Sequence, residues 1–282
     1  MNRKGLVICV IIATGCPNII LIPKVTIIPN YCSVSSNKLN VILTEFCNYY
    51  YFSRMFDLKK FILKRFPIDQ FTSLKSYSQE GEDMVIRSFF EGMKNYKGFY
   101  VDVGAHHPYR YSNTLFFYQN GWRGINIEPT PGAIKLFNRF RRKDTNLNIG
   151  ISNKKDKLTF YCFNEPALNG FSKEHSKEID QASNPYHIIK EADVETYPLA
   201  DVLDRYLPAG QKIDFLTIDV EGLDLVVLKS NNWTKYKPSY VMAEDRIDFE
   251  NLADSEVYNY LKEQGYQLVA KTFRTLFFKL VS

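Results

Sequence analysis

Three short apolar runs in this chain end on glycine or acidic residues, and those ends hold most of its chemistry. Phe99-Tyr100-Val101-Asp102-Val103 stops at Gly104-Ala105, the run from Arg123 leads to Glu128, and Phe215-Leu216-Thr217-Ile218 leads to Asp219-Val220-Glu221-Gly222. Such runs read as strands covered on both faces. Parallel strands of this kind set their carboxyl ends side by side, where open α/β sheets hold nucleoside-like ligands. A carboxylate at such an end is costly unless it meets water, a cation or a hydroxyl. Glu128 is therefore suited to the two ribose hydroxyls of an adenosyl group. Asp219 and Glu221 are suited to a reacting hydroxyl or a cation.

The loop after Val103 narrows the ligand. A dinucleotide site needs several glycines, because its pyrophosphate lies on the loop backbone and on a helix N-terminus. Here Gly104 is followed by Ala105, His106, His107 and Pro108. One glycine still admits a ligand without phosphate, and S-adenosylmethionine is such a ligand. An NAD-dependent oxidoreductase would share the acid at Glu128 but not this glycine-poor loop. A non-catalytic glycan-binding protein on the same fold is the other alternative. Binding of S-adenosylmethionine rather than NAD separates the three.

Four ordered motifs carry a family resemblance: Ser76-Tyr77-Ser78-Gln79-Glu80-Gly81-Glu82-Asp83, Asp102-Val103-Gly104-Ala105, Gly121-Trp122-Arg123-Gly124-Ile125-Asn126-Ile127-Glu128-Pro129, and Ile218-Asp219-Val220-Glu221-Gly222. From about Ser76 to the C-terminus the chain resembles the FkbM family of S-adenosylmethionine-dependent methyltransferases. The resemblance implies an α/β class I methyltransferase (Rossmann-like) fold, with a seven-stranded sheet, helices on both faces and a C-terminal antiparallel hairpin. It also implies methyl transfer to a hydroxyl of a sugar, a glycan or a secondary metabolite. Where the general methyltransferase pattern has a second glycine, this chain has His106, His107 or Pro108. Candidate cofactor contacts are Gln79, Glu82, Asp102, Gly104, Ala105, Glu128 and Asp219.

A sulfonium methyl is already activated, so the enzyme must align a nucleophile in line with the departing sulfur and take the proton of a hydroxyl. Asp219 is the first candidate base, because the end of its strand faces the methyl group in this architecture; Glu221 and Glu244 come next. His106 and His107 offer neutral imidazoles, with positioning of the methionine end or capping of the next helix as their plainer role. No metal is required. A divalent cation on Asp219, Glu221 and Glu244 is the runner-up mechanism, since carboxylate oxygens suit magnesium.

The elements that must position these groups follow from periodicity and turn residues. Helices are expected from Ser78 onward, after Ser112-Asn113-Thr114, behind a Thr130 cap, and over 199–207, 223–229 and 255–264. A strand at 147–151 and another at 158–163 flank Asn153-Lys154-Lys155-Asp156 and read as a hairpin. Residues 164–196 are polar and aperiodic, a long loop read as an acceptor lid. Strands over 240–243, 266–271 and 275–281 complete the sheet, the last two as an antiparallel hairpin.

The 282 residues are 45% hydrophobic and 15% aromatic, enough for one large α/β domain over 55–282 and an extension. A net charge of +5 does not call for nucleic acid. Arg139, Arg141, Arg142 and Lys143 read as a solvated helix end, with an anionic glycan or phosphate-bearing substrate as the sharper alternative. Of five cysteines, only Cys162 lies in this domain. No Cys/His spacing suggests zinc, and the domain reads as cytoplasmic. Residues 1–54 differ: Asn2-Arg3-Lys4 before an apolar run imitates a secretory signal, while Pro17, Pro23, Lys24 and Pro29 interrupt any membrane span. Sequence upstream of a start at Met55 is the favoured reading of that segment. Phe56, Phe61, Ile62 and Phe66 then interleave with Lys59, Lys60, Lys64 and Arg65, a basic amphipathic pattern read as core packing, with peripheral contact to an anionic membrane surface as the alternative.

Overall fold

Apolar runs that end on charge do become strands, and they assemble into one sheet. The computed structural model describes residues 73–93 and 95–281; the signal-like segment, the start at Met55 and the basic amphipathic pattern lie outside them. In chain order the elements begin with α1 (Glu82–Ser88), β1 (Phe99–Val103), α2 (Leu115–Gln119), β2 (Arg123–Ile127), α3 (Ile134–Phe140) and β3 (Thr145–Leu147). There follow β4 (Gly150–Ile151), β5 (Asp156–Phe163), a 3-10 turn (Pro166–Leu168), α4 (Lys173–Gln181), β6 (Ile188–Tyr197) and α5 (Leu199–Tyr206). The chain continues with β7 (Phe215–Ile218), α6 (Asp224–Lys229), β8 (Tyr240–Glu244), a 3-10 segment (Phe249–Asp254), α7 (Glu256–Glu263), β9 (Tyr266–Lys271) and β10 (Thr275–Leu280).

The main sheet has seven strands in the order β3-β2-β1-β7-β8-β10-β9. β1 pairs in parallel with β2 and β7, and β7 with β8. β10 alone runs against its neighbours β8 and β9. The chain leaves β1 toward β2 and β3 on one side, then returns to build β7 and β8 on the other. β1 and β7 thus flank the switch point of the sheet, where ligands bind outside the carboxyl ends.

Alternation along the strands covers both faces. Val101, Val103, Leu216, Ile218 and Val241 pack with Leu199 and Leu203 of α5, Val227 of α6 and Leu261 of α7. Tyr100, Phe215 and Met242 point the other way, onto Ile86 of α1 and Phe117 of α2. Ser255 Oγ caps α7 by accepting the Tyr258 N–H; α1 begins after Gly81 without a side-chain cap, and its Asp83 accepts from Ser76 Oγ, Ser78 Oγ and the Tyr77 N–H of the segment before it.

Several expectations are corrected here. The strand expected at 147–151 is two strands in two sheets, because β3 pairs with β2 whereas β4 pairs with β6. No hairpin joins β4 to β5: β6 lies between them, parallel to β4 and antiparallel to β5. Residues 164–196 are not a loop. Ser172 Oγ caps α4 through the His175 N–H, and β6 pairs along the length of β5. The helix expected behind Thr130 begins at Ile134 without a side-chain cap, and Thr130 Oγ1 accepts from Asn169 Nδ2 instead of a first-turn N–H. Arg141 is not solvated; it is 0% exposed. Among the described residues, no helix is long and apolar enough to cross a membrane.

Candidate active site

The carboxyl ends of β1, β2 and β7 open into a cleft of about 880 Å³, part of it open to solvent. Gln79, Asp102, Gly104, Ala105, Glu128 and Asp219 all line it, and so does His106. Glu82 does not. It is buried, and its Oε2 accepts the Glu80 N–H at 2.7 Å.

The first loop is braced rather than open. The Gly104 and Ala105 N–H groups both donate to Ile127 O, at 3.0 and 3.1 Å. The next N–H, of His106, donates to Glu128 Oε2 at 2.7 Å. Three successive amides are thus spent on β2 and its terminal acid, which leaves no cradle of the kind a pyrophosphate needs. Glu128 is held from both sides, since its Oε1 accepts the Thr130 N–H at 2.7 Å. Burial raises its pKa, and the hydrogen bonds from Thr130 and His106 oppose that rise. Each oxygen keeps a lone pair for a hydroxyl donor in the cleft.

At the end of β7, Asp219, Glu221 and Glu244 bring ligand-capable oxygens within 4.8 Å of one another. Asp219 lines the cleft and is exposed to solvent there, although neighbouring elements crowd its carboxyl. Burial, then the charges of Glu244, Glu221 and Asp224, push its carboxyl well above the usual range. The same two causes, burial and then Glu244, raise Glu221 to about 7 and Asp224 to about 8. Arg246 tempers the cluster, with Nη2 3.1 Å from Glu244 Oε1 and 3.4 Å from Glu221 Oε2. Glu221 also lines a second pocket with His175, Asp245, Arg246, Asp254 and Glu256, where acids outnumber cations.

Two adjacent histidines have opposite fates. His106 has a left-handed backbone, φ 53°, and its ring stacks on Tyr111 at 6.0 Å. Its Nε2 is buried without a hydrogen-bond partner among the described residues. Burial, then Arg110 and His107, lower its pKa to about 4, so it is neutral at neutral pH. His107 is absent from the cleft lining, and its Nδ1 accepts the Tyr109 and Arg110 N–H groups at 3.1 and 3.0 Å. The lone pair that a base would use closes a turn instead.

Other cleft residues escaped the sequence reading. Tyr111 and Asn113 come from the loop after β1, and Asn169, Gly170 and Phe171 come from the segment read as a lid. Asn113 Nδ2 donates to Thr217 Oγ1 and Asn169 Nδ2 to Thr130 Oγ1, each at 3.1 Å. A bidentate pair, Arg110 to Glu165 at 2.8 and 3.0 Å, ties the same two segments together. The only sequence signal near them is Ser112-Asn113-Thr114 ahead of a helix, since Asn169 and Gly170 fall in the polar, aperiodic stretch read as a loop.

The sheet order, the reversed β10 and the cleft at the switch point define a class I methyltransferase fold. The methyltransferase FkbM domain matches residues 102–268, and the chain belongs to that family. Among solved structures it is similar to methyltransferase FkbM from Methylobacillus flagellatus, at 16% identity and a TM-score of 0.44, covering 72% of this chain and 48% of that one. The chain therefore spans about half the length of that protein. It is also similar to precorrin-6y C5,15-methyltransferase from Geobacter metallireducens, at 13% identity and a TM-score of 0.38, covering 76% and 95% of the two chains. No curated protein matches the chain.

Proposed function

We propose that this methyltransferase moves the methyl group of S-adenosylmethionine to a hydroxyl oxygen of a sugar, a glycan or a secondary metabolite. The observation that carries the cofactor is Glu128, a buried carboxylate fixed by two backbone N–H groups at the end of β2 and lining the cleft. The braced amides of residues 104–106 support a ligand without phosphate. Bound S-adenosylmethionine supplies a methyl group already activated on a sulfonium. The chain's own residues must bind, orient and accept a proton. Glu128 accepts the ribose hydroxyls, and Asp219 takes the acceptor's proton as its oxygen bonds to the methyl carbon and the carbon–sulfur bond breaks. The acid-rich pocket beyond Glu221 favours uncharged or cationic hydroxyl compounds over anionic ones.

Calorimetric titration of the full chain is expected to show binding of S-adenosylmethionine and none of NAD. In Glu128→Ala the affinity falls at least about tenfold, the loss of one or more charge-assisted hydrogen bonds. Unchanged affinity in a folded variant would remove Glu128 from the site, and binding of NAD in place of S-adenosylmethionine would overturn the function.

The convergence of Asp219, Glu221 and Glu244 favours a second reading, in which a divalent cation orients the acceptor hydroxyl and lowers its pKa. Turnover before and after chelation decides between them. The base reading expects unchanged turnover with EDTA, and the cation reading expects its loss and its return with magnesium.

A further inference from the structure

Arg141 is the largest fully buried side chain of the described residues, and none of the chemistry above uses it. A guanidinium sealed from water persists only with good partners. Its Nε is 3.2 Å from Asp144 Oδ2. Its Nη2 donates to Tyr100 Oη at 2.7 Å and to Thr114 Oγ1 at 2.9 Å. Longer contacts run from Nη1 to Pro108 O and Ser112 Oγ, on the loop that walls the cleft.

The two hydroxyls give this network a direction. Thr114 Oγ1 has one proton, and it is donated to Asp102 Oδ2 at 2.7 Å, so a lone pair is left for Arg141. Tyr100 does the same toward Asp144, at 2.5 Å. Asp102 lies on the Tyr100 face of β1, lines the cleft, and has one oxygen committed to Thr114. Its Oδ1 has no donor among the described residues. A carboxylate held by one oxygen presents the other in a fixed direction, and the partner it suits is a cationic N–H donor. On S-adenosylmethionine that donor is the ammonium of the methionine end.

We propose that Arg141 is a positioning residue for the methyl donor: acting through Thr114, it holds Asp102 so that Oδ1 meets the ligand's ammonium group. The proposal rests on the cofactor reading above. Burial pushes Asp102 up to about 6, and the Thr114 hydrogen bond and the Arg141 charge pull it back toward the ionised form. Loss of either leaves a less oriented and less charged acceptor.

The test compares two ligands on the full chain. S-adenosylmethionine carries the ammonium group, whereas 5′-methylthioadenosine keeps the adenosine and the sulfur without it. In Thr114→Val, which preserves shape and removes one hydroxyl, S-adenosylmethionine is expected to bind about tenfold more weakly. Binding of 5′-methylthioadenosine should move less than about twofold, because its contacts lie at Glu128. Arg141→Met should show the same selective loss, with partial recovery in Arg141→Lys. Circular dichroism checks folding, and Thr114→Val decides the matter if Arg141→Met does not fold. Equal weakening of both ligands, or no weakening of S-adenosylmethionine, in folded Thr114→Val overturns the relay while the cofactor reading survives. Wild-type protein that binds neither ligand overturns the cofactor reading and the relay with it.

Discussion

Gly104→Ala is expected to weaken donor binding by roughly 10²-fold or more. The backbone of Gly104 has φ 82°, in the left-handed region where an alanine is strained. A Cβ placed there would lie 1.8 Å from Asp219 O and 2.8 Å from Asp219 C, and neither is the end of a flexible side chain that could swing away. The ends of β1 and β7 would have to separate, although the Asp219 N–H is bonded to Val103 O at 3.0 Å. That movement would also pull on the Gly104 and Ala105 amides, which hold the end of β2 beside Glu128. Strain of this kind costs about 1–3 kcal/mol before any contact is lost, so the dissociation constant for S-adenosylmethionine should rise by roughly 10²-fold or more. The steric contrast is with Gly170, which also lines the cleft but whose Cβ would meet only Glu221 Cβ, at 3.5 Å, an ordinary contact. Calorimetric binding by Gly104→Ala within about threefold of wild type would show that the β1 and β7 ends part freely, against the close packing expected of such a core.

The same contrast between local and distant information explains what the sequence disclosed. β1, β2, β7 and β8 were legible because strands covered on both faces are nearly continuous apolar runs, and acids at their ends are visible against them. β6 was not. One face of it buries Val194 and Thr196, while Lys190, Glu191, Asp193 and Glu195 fill the run and make it look like a polar loop. α4 has the same difficulty, since Ser176 is its only buried residue. Arg141 looked like one cation among several at a helix end. Tyr100, Thr114 and Asp102, which make its burial tolerable, are distant in sequence and meet it only once β1 and α2 are packed. The histidines show the limit of residue type as a guide. Composition cannot separate His106 from His107, and it is the positive φ at 106 and the turn closed by Nδ1 at 107 that send one ring to the cleft and the other away from it. Gln79 and Glu82 divide in the same way, for the carboxylate of Glu82 closes a local turn onto Glu80.

Asp219→Asn is the substitution expected to cost the most turnover for the least change in structure. Asparagine matches the size of aspartate, and the backbone contacts of residue 219 to Val103 and Gly104 do not involve the side chain. Donor affinity should therefore stay within about threefold, while removal of a general base lowers turnover by about 10²-fold or more. Burial and the neighbouring acids raise the proton affinity of Asp219, which brings a carboxylate closer to the strength needed to draw a proton from a hydroxyl. The sign of the pH dependence follows: the base acts only when ionised, so wild-type turnover should rise with pH through a pKa above the ordinary carboxylate range, and that limb should vanish in Asp219→Asn. His106 is the rival. Its pKa near 4 keeps it neutral but makes it a weak proton acceptor, so His106→Gln should retain turnover within about tenfold. Near-normal turnover in Asp219→Asn together with collapse in His106→Gln would move the base to the histidine. Collapse in Asp219→Asn accompanied by sensitivity to EDTA would assign the carboxylate to a cation instead of a proton.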